Sequence, residues 1–199
     1  MRPDLAIVAG MIPAGARVLD LGCGAGDLLA ELIHARGCRG QGVEVAPEAF
    51  HACVARGIPV VQADIDDGLP DFEDGAFDVV VLSQTLQATR RPTPVLREMM
   101  RVGRVGIVSF PNFGHWRARL DLAARGRMPV SRTLPYRWYE TPNIHLCTIR
   151  DFEELAAAEG LRVVERALLA PDGRAAPPRV RRRPNLLAAG AAYLLTGIS

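Results

Sequence analysis

Residues 18–26 read Val-Leu-Asp-Leu-Gly-Cys-Gly-Ala-Gly. An apolar run holding Asp20 ends in glycines at alternating positions, Gly22, Gly24 and Gly26, and a helical pattern follows at once from Asp27 to Arg36. A strand that turns through glycines into a helix presents backbone N–H groups with no side chains in the way, so a ligand can lie close to the main chain. Asp20 stands at the strand's carboxyl end, the edge where open α/β sheets bind ligands. The spacing is G-x-G-x-G, and the third glycine of the dinucleotide fingerprint G-x-G-x-x-G is replaced here by Asp27. Glu44 ends the next strand, where an acid accepts hydrogen bonds from both ribose hydroxyls. Each such bond to a charged group is worth about 1.5–3 kcal/mol. The chemistry implied is nucleoside binding. Cys23 sits in the same loop at a helix N-terminus, where thiolate character can rise. The reading favoured for it is a small side chain that fits a tight turn.

The elements that must position these residues alternate. A short helix around Leu5, Val8 and Ile12 opens at Asp4 and closes before Pro13. Strands are expected at Arg17–Leu21, Gly40–Val45, Pro59–Gln62, Phe77–Leu82 and Val105–Phe110, with helices at Asp27–Arg36, Pro47–Arg56 and Thr93–Val102. An acid-rich loop spans Asp64–Gly75, in which Asp66 and Asp67 are read as solvated. An irregular stretch, Pro111–Leu146, precedes a helix at Ile149–Glu159 that Thr148 and Asp151 open as a capping box. Val163–Leu169 and Ala191–Thr196 are the last strands, separated by a Pro- and Arg-rich segment. Alternation of strand and helix implies a parallel sheet with right-handed crossovers. The closing pair has no long helix between its strands, so at least one edge strand is expected to be antiparallel. A single domain over residues 1–199 is the simplest reading.

Composition narrows the class. Hydrophobic residues make up 49% and charged residues 23%, with a net charge of +2, which gives no global case for nucleic acid. Every basic residue is Arg. Cys23, Cys38, Cys53 and Cys147 form no C-x-x-C pair, which argues for reduced thiols in a cytoplasm and against a zinc site. Neither a signal peptide nor an 18-residue apolar run is present, so no membrane partner is expected. Both Trp and two of the three Tyr lie in the stretch beyond the fifth strand, among Arg117, Arg119, Arg125, Arg127, Arg132 and Arg137. Such a segment is a lid, an interface or a local cover. His115 and His145 are read first as structural hydrogen-bonding residues. The basic run Arg181–Arg183 is read as a solvated loop.

The glycine run resembles motif I of the Rossmann-like methyltransferases that depend on S-adenosylmethionine (SAM). The resemblance implies an α/β fold of class I: a mostly parallel seven-stranded sheet with helices on both faces. It also implies roles after the strands. Asp64 would meet the adenine amino group and the backbone at Ile65 a ring nitrogen, while Ser83–Gln87 would face the methyl donor. The cofactor-binding set becomes Asp20, Gly22, Cys23, Gly24, Gly26, Glu44, Val45, Asp64, Ile65 and Ser83, for SAM or S-adenosylhomocysteine. No metal ligand and no catalytic residue is assigned. Pro111–Trp116, Gly126–Val130, Leu134–Tyr136, Trp138-Tyr139 and Thr141–Thr148 extend the resemblance to the methionine-biosynthesis protein MetW family over nearly the whole chain. Ala25 departs from that pattern, which has an acid inside the glycine loop. The resemblance implies a SAM-binding accessory partner of homoserine O-acyltransferase. The alternative is an active methyltransferase on a small molecule or protein acceptor; an RNA methyltransferase rests on Arg content alone.

Overall fold

The computed structural model describes residues 2–197. The order is α1 (Pro3–Gly10), β1 (Arg17–Leu21), α2 (Asp27–Arg36), β2 (Arg39–Glu44), α3 (Pro47–Ala55), β3 (Val60–Gln62), β4 (Phe77–Ser83), α4 (Pro92–Val102), β5 (Gly103–Pro111), α5 (Trp116–Arg125), α6 (Ile149–Ala158), β6 (Leu161–Leu169), α7 (Pro184–Leu187) and β7 (Gly190–Gly197). The strands form one seven-stranded sheet in the order β3-β2-β1-β4-β5-β7-β6. Strands β1 to β5 are parallel, as the alternation implies. The reversed strand is β7, which pairs antiparallel with both β5 and β6. It therefore lies one place in from the edge, and the edge strand β6 pairs antiparallel with it, as expected, while running in the direction of β1 to β5. Its connection from β6 holds only short helical turns, and a return without a long crossover helix brings the chain back antiparallel.

The inner strands β1, β4, β5 and β7 are largely buried on both faces, and alternate residues feed two cores. Leu19, Leu21, Val80, Leu82, Val108 and Phe110 point to the core covered by α4 and α6. Val18, Val79, Val81 and Ile107 point to the core covered by α1 and α2. Phe110, Phe152 and Tyr193 close the first core as an aromatic cluster, with ring centroids 4.7–5.9 Å apart. The Tyr193 hydroxyl donates to Glu153 at 2.9 Å, so the burial of β7 is fixed to α6. Thr148 and Asp151 form the expected capping box of α6.

Two sequence expectations need correction. The stretch beyond β5 is not wholly irregular, because α5 occupies residues 116–125. Of its residues only Ala118 is buried, while Leu120 and Leu122 are exposed, so no apolar periodicity announced it. Asp66 is also not solvated. It is buried and accepts from the backbone N–H of Arg90 and Arg91 at 2.8 and 2.9 Å, whereas Asp67 is exposed as expected. The acid-rich loop is further tied to α4 by the Arg101 guanidinium, which bonds Glu98, Asp74 and the carbonyls of Leu69 and Phe72.

One buried side chain joins the elements at the sheet's carboxyl edge. The Asn112 amide donates to the carbonyls of Ala188 (2.8 Å) and Asn185 (3.1 Å) and accepts from the N–H groups of Gly114 (2.9 Å) and Ile149 (3.3 Å). It thus holds the ends of β5, α6 and α7 together. Asn112→Ala leaves these buried groups without partners, at about 1–3 kcal/mol for each group that finds no water. The variant is expected to lose about 2–4 kcal/mol in denaturant unfolding. A loss below about 0.5 kcal/mol would contradict this role.

Candidate functional site

At the end of β1 the chain reverses over the edge of β2. The N–H groups of Gly22 and Cys23 both donate to the Val43 carbonyl, at 2.8 and 3.2 Å. Gly22, Gly24 and Gly26 all have positive φ, at 73°, 56° and 77°. At Gly22 a second constraint applies, because an added Cβ would lie 2.6 Å from the Thr85 methyl group. The loop can therefore close against the turn after β4 only with glycine there. Gly26 ends the loop as the N-cap of α2.

The carboxylate of Glu44 holds this turn to the next one. Its Oε2 accepts from the Gly24 N–H and its Oε1 from the Ala46 N–H, each at 2.8 Å. Glu44 is buried, and its carboxylate keeps lone pairs beyond those two bonds. Asp20, one strand inward, is 3% exposed, and its Oδ1 has no hydrogen-bond partner. Burial, reinforced by the nearby Glu44 charge and opposed by Arg2, pushes the Asp20 carboxyl up to about 7. An orphaned buried oxygen beside exposed backbone calls for a cationic or N–H-bearing ligand group.

A pocket of about 260 Å³ opens at this point. It brings together five residues of the expected cofactor set: Asp20, Gly22, Cys23, Gly24 and Ser83. Glu44 reaches it through the Gly24 N–H. Ser83 shares a hydrogen bond with Ser109 at 3.2 Å. Gly26 lies below, packed on Cys53 and Ile58. Val45 is exposed beyond Glu44. Asp64 and Ile65 stand after β3, whose Gln62 pairs with Glu44 in the sheet. Asp64 is occupied on both oxygens, by the Asp66 N–H at 2.9 Å and by Arg90 at 2.8 Å.

Sequence reasoning missed Arg2, Leu5 and Leu28, which also line the pocket, as do Gln84 and Thr85 of the Ser83–Gln87 run. Among the described residues, Gln84 is the non-glycine residue with positive φ, at 59°. Nothing in its residue type announces that conformation. The Cys23 thiol is buried, and burial, with the nearby Asp20 charge, raises its pKa, opposite to activation by a helix N-terminus. Its Sγ lies 3.9 Å from that of Cys53, and an added Cβ on Gly42 would lie 2.5 Å from the Cys23 sulfur. Cys23 is thus a small packing residue. Cys147 lies in the extended segment ahead of α6, outside an ordered element. His115 caps α5, accepting from the Arg117 N–H at 3.4 Å, and burial lowers its pKa. Both are structural placements.

The Asp20 carboxyl is raised, so its protonated form is favoured in the folded state. Its contribution to stability is therefore fully present below about pH 4 and lost as pH rises through about 7. Asp20→Asn removes this titration. Its melting temperature, relative to wild type, is expected to rise by several degrees between pH 5 and pH 8. A difference that stays constant across that range would contradict the burial of a titrating carboxyl.

A match to the family described as Methionine biosynthesis protein MetW spans residues 2–195. The chain is 43% identical over 154 residues to the bifunctional methionine biosynthesis protein MetXA/MetW of Rhodopirellula baltica, covering 73% of this chain and 25% of that protein. It is 31% identical over 129 residues to a ubiquinone biosynthesis O-methyltransferase of Xanthomonas oryzae pv. oryzae, covering 61% of this chain and 53% of that one. The chain thus spans a quarter to about half the length of these relatives. The crystal structure of an S-adenosylmethionine dependent methyltransferase from Mesorhizobium loti matches with a TM-score of 0.68 at 18% identity, over 96% of each chain. The [4+2]-cyclase SpnF matches with a TM-score of 0.66 at 17% identity, over 97% of this chain and 80% of that one. These structures share the fold, yet one is a methyltransferase and the other a [4+2]-cyclase, so the fold alone does not name a reaction. With its seven-stranded Rossmann-like methyltransferase fold, the chain belongs to the methionine biosynthesis protein MetW family.

Proposed function

We propose that the chain binds SAM or S-adenosylhomocysteine and acts in the cytoplasm as an accessory, regulatory partner of homoserine O-acyltransferase. The observation that carries the partnership is the bifunctional relative, in which a region like this chain is joined to MetXA in one polypeptide. We take MetXA to be the acyltransferase. Covalent joining holds two modules at an effective concentration of order millimolar, which favours pairs that work in contact.

The pocket residues fit the cofactor. Asp20 has a buried oxygen in want of a donor, suited to the amino acid's ammonium group. The glycine turn leaves room for the ligand against the main chain. Glu44 has remaining acceptor capacity for the ribose hydroxyls. Asp64 and Ile65 are assigned to the adenine, with Asp64 sharing its charge with Arg90. When bound, SAM supplies an electrophilic methyl group to a nucleophile placed in line. Asp20, Glu44 and the loop orient the ligand.

For the partner surface, we assign the exposed face of the segment beyond β5. Trp138 is 72% exposed, and Tyr136, Tyr139, Val130 and Ile144 are each at least half exposed. Trp138, Tyr136 and Ile144 border an apolar hollow of about 360 Å³ that Phe113, Met128 and Leu146 also line. Trp and Tyr anchors beside a pocket are the residue types that dominate binding energy at interfaces. None of these exposed side chains belongs to a buried cluster of the fold among the described residues.

Active methyl transfer is the second reading. It is favoured by a cleft that shares Gln84 with the cofactor pocket, on the side where an acceptor would enter.

Calorimetry tests the cofactor. Wild type is expected to bind S-adenosylhomocysteine, and Glu44→Ala to bind it on the order of tenfold to several hundredfold more weakly. Heat from neither SAM nor S-adenosylhomocysteine would remove the cofactor. Mixing with homoserine O-acyltransferase tests the partner. The two are expected to co-purify with a raised acylation rate, and Trp138→Ala to weaken association about tenfold or more while cofactor binding persists. No association at micromolar concentration would reject the partnership.

A further inference from the structure

A second cleft, of about 370 Å³, lies beside the cofactor pocket and shares Arg2 and Gln84 with it. That volume is at the small end of ligand sites, suited to a metabolite of a few heavy atoms. Its wall is built around Gln87, which is 5% exposed. The Gln87 side-chain N–H donates to the Gln84 carbonyl at 2.7 Å, while its Oε1 has no hydrogen-bond partner. The Gln87 main chain is fixed as well, since its carbonyl accepts from the N–H groups of Ile144 and His145, both at 2.9 Å. A rigid buried amide with an unanswered acceptor asks for a donor from a ligand.

The charges around it are mixed. Arg132 lines the cleft and makes no ion pair or hydrogen bond with the described residues. Asp4 and Asp172 line it too; Asp4 pairs with Arg2 at 3.4 Å, and Asp172 accepts the Arg174 N–H at 3.1 Å. A ligand that is only an anion would answer Arg132 but face two carboxylates and leave Gln87 Oε1 bare. A ligand that is only a cation would leave Arg132 unmatched. A purely apolar one would answer none of these groups.

We infer that this cleft is a binding site for a small α-amino acid, taken as its zwitterion. Its carboxylate would meet Arg132, and its ammonium or a side-chain hydroxyl would meet Gln87 Oε1 and the acidic wall. The inference rests on the cofactor reading only for what fills the neighbouring pocket.

The test is calorimetry on the full chain with each proteinogenic L-amino acid, alone and with saturating S-adenosylhomocysteine. The saturated arm blocks entry of an amino acid into the cofactor pocket. At least one amino acid is expected to bind the saturated protein with a Kd of about 1 mM or tighter. Its methyl ester, which lacks the carboxylate, and its deaminated hydroxy acid, which lacks the ammonium, are each expected to bind about tenfold more weakly. Arg132 is exposed, so Arg132→Ala keeps the fold and is expected to weaken the amino acid about tenfold, with S-adenosylhomocysteine binding within about twofold of wild type. Gln87→Met provides the second variant, with the same expected loss. The inference is overturned if no amino acid binds at about 10 mM in the presence of saturating S-adenosylhomocysteine, if either variant that retains the fold binds the amino acid like wild type, or if the hydroxy acid binds as well as the amino acid. Failure of the cofactor reading appears separately, as an absence of S-adenosylhomocysteine binding, and the loss caused by Arg132→Ala then reads the cleft, since Arg132 lines the cleft and not the cofactor pocket.

Discussion

The Glu44 carboxylate accepts the Gly24 and Ala46 N–H groups at 2.8 Å and so ties the turn after β1 to the turn after β2. Much of the site depends on that pair of bonds. With the turns joined, Gly22 can approach Thr85, and the Cys23 sulfur can settle in the space left by Gly42. The cost falls on Asp20, which is left buried with one oxygen unpartnered and its carboxyl pushed up to about 7. Two parallel cores, one on each face, keep β1, β2 and β4 in register while this strained corner is held. A corner of this kind is stable enough to persist and gains when a ligand donates to it.

The sheet was legible because its inner strands are unbroken apolar runs between glycine or acid punctuation, as in Phe77–Ser83. The glycine loop was legible because three glycines at alternating positions serve no ordinary element. The capping box at Thr148 was legible for the same local reason. The rest depends on contacts between distant residues. Helix α5 buries almost nothing, so it has no apolar stripe to read. Asp66 looks like any loop acid until Arg90 and Arg91 meet it. The place of β7 is set by packing among Phe110, Phe152 and Tyr193. The left-handed Gln84 and the orphaned Gln87 oxygen depend on how the turn after β4 is held from both sides.

That turn also links the two parts of the proposed function. Gln84 and Thr85 line the cofactor pocket, and the Gln87 carbonyl holds the N–H groups of Ile144 and His145. Ile144 belongs to the exposed aromatic face assigned to the partner. A ligand that shifts the turn would therefore act on the partner face through backbone hydrogen bonds and not through a long chain of side chains. Coupling of this sort exists only to the extent that the ligand has different affinities for the free and the partnered chain.

The most direct measurement is the dissociation constant of the chain for homoserine O-acyltransferase, taken with and without saturating SAM. The expected result is a change of about 5- to 150-fold, matched by the same factor in the affinity for SAM when the partner is present. Equal dissociation constants in the two conditions, with SAM shown to be bound, would contradict a cofactor that regulates the partnership.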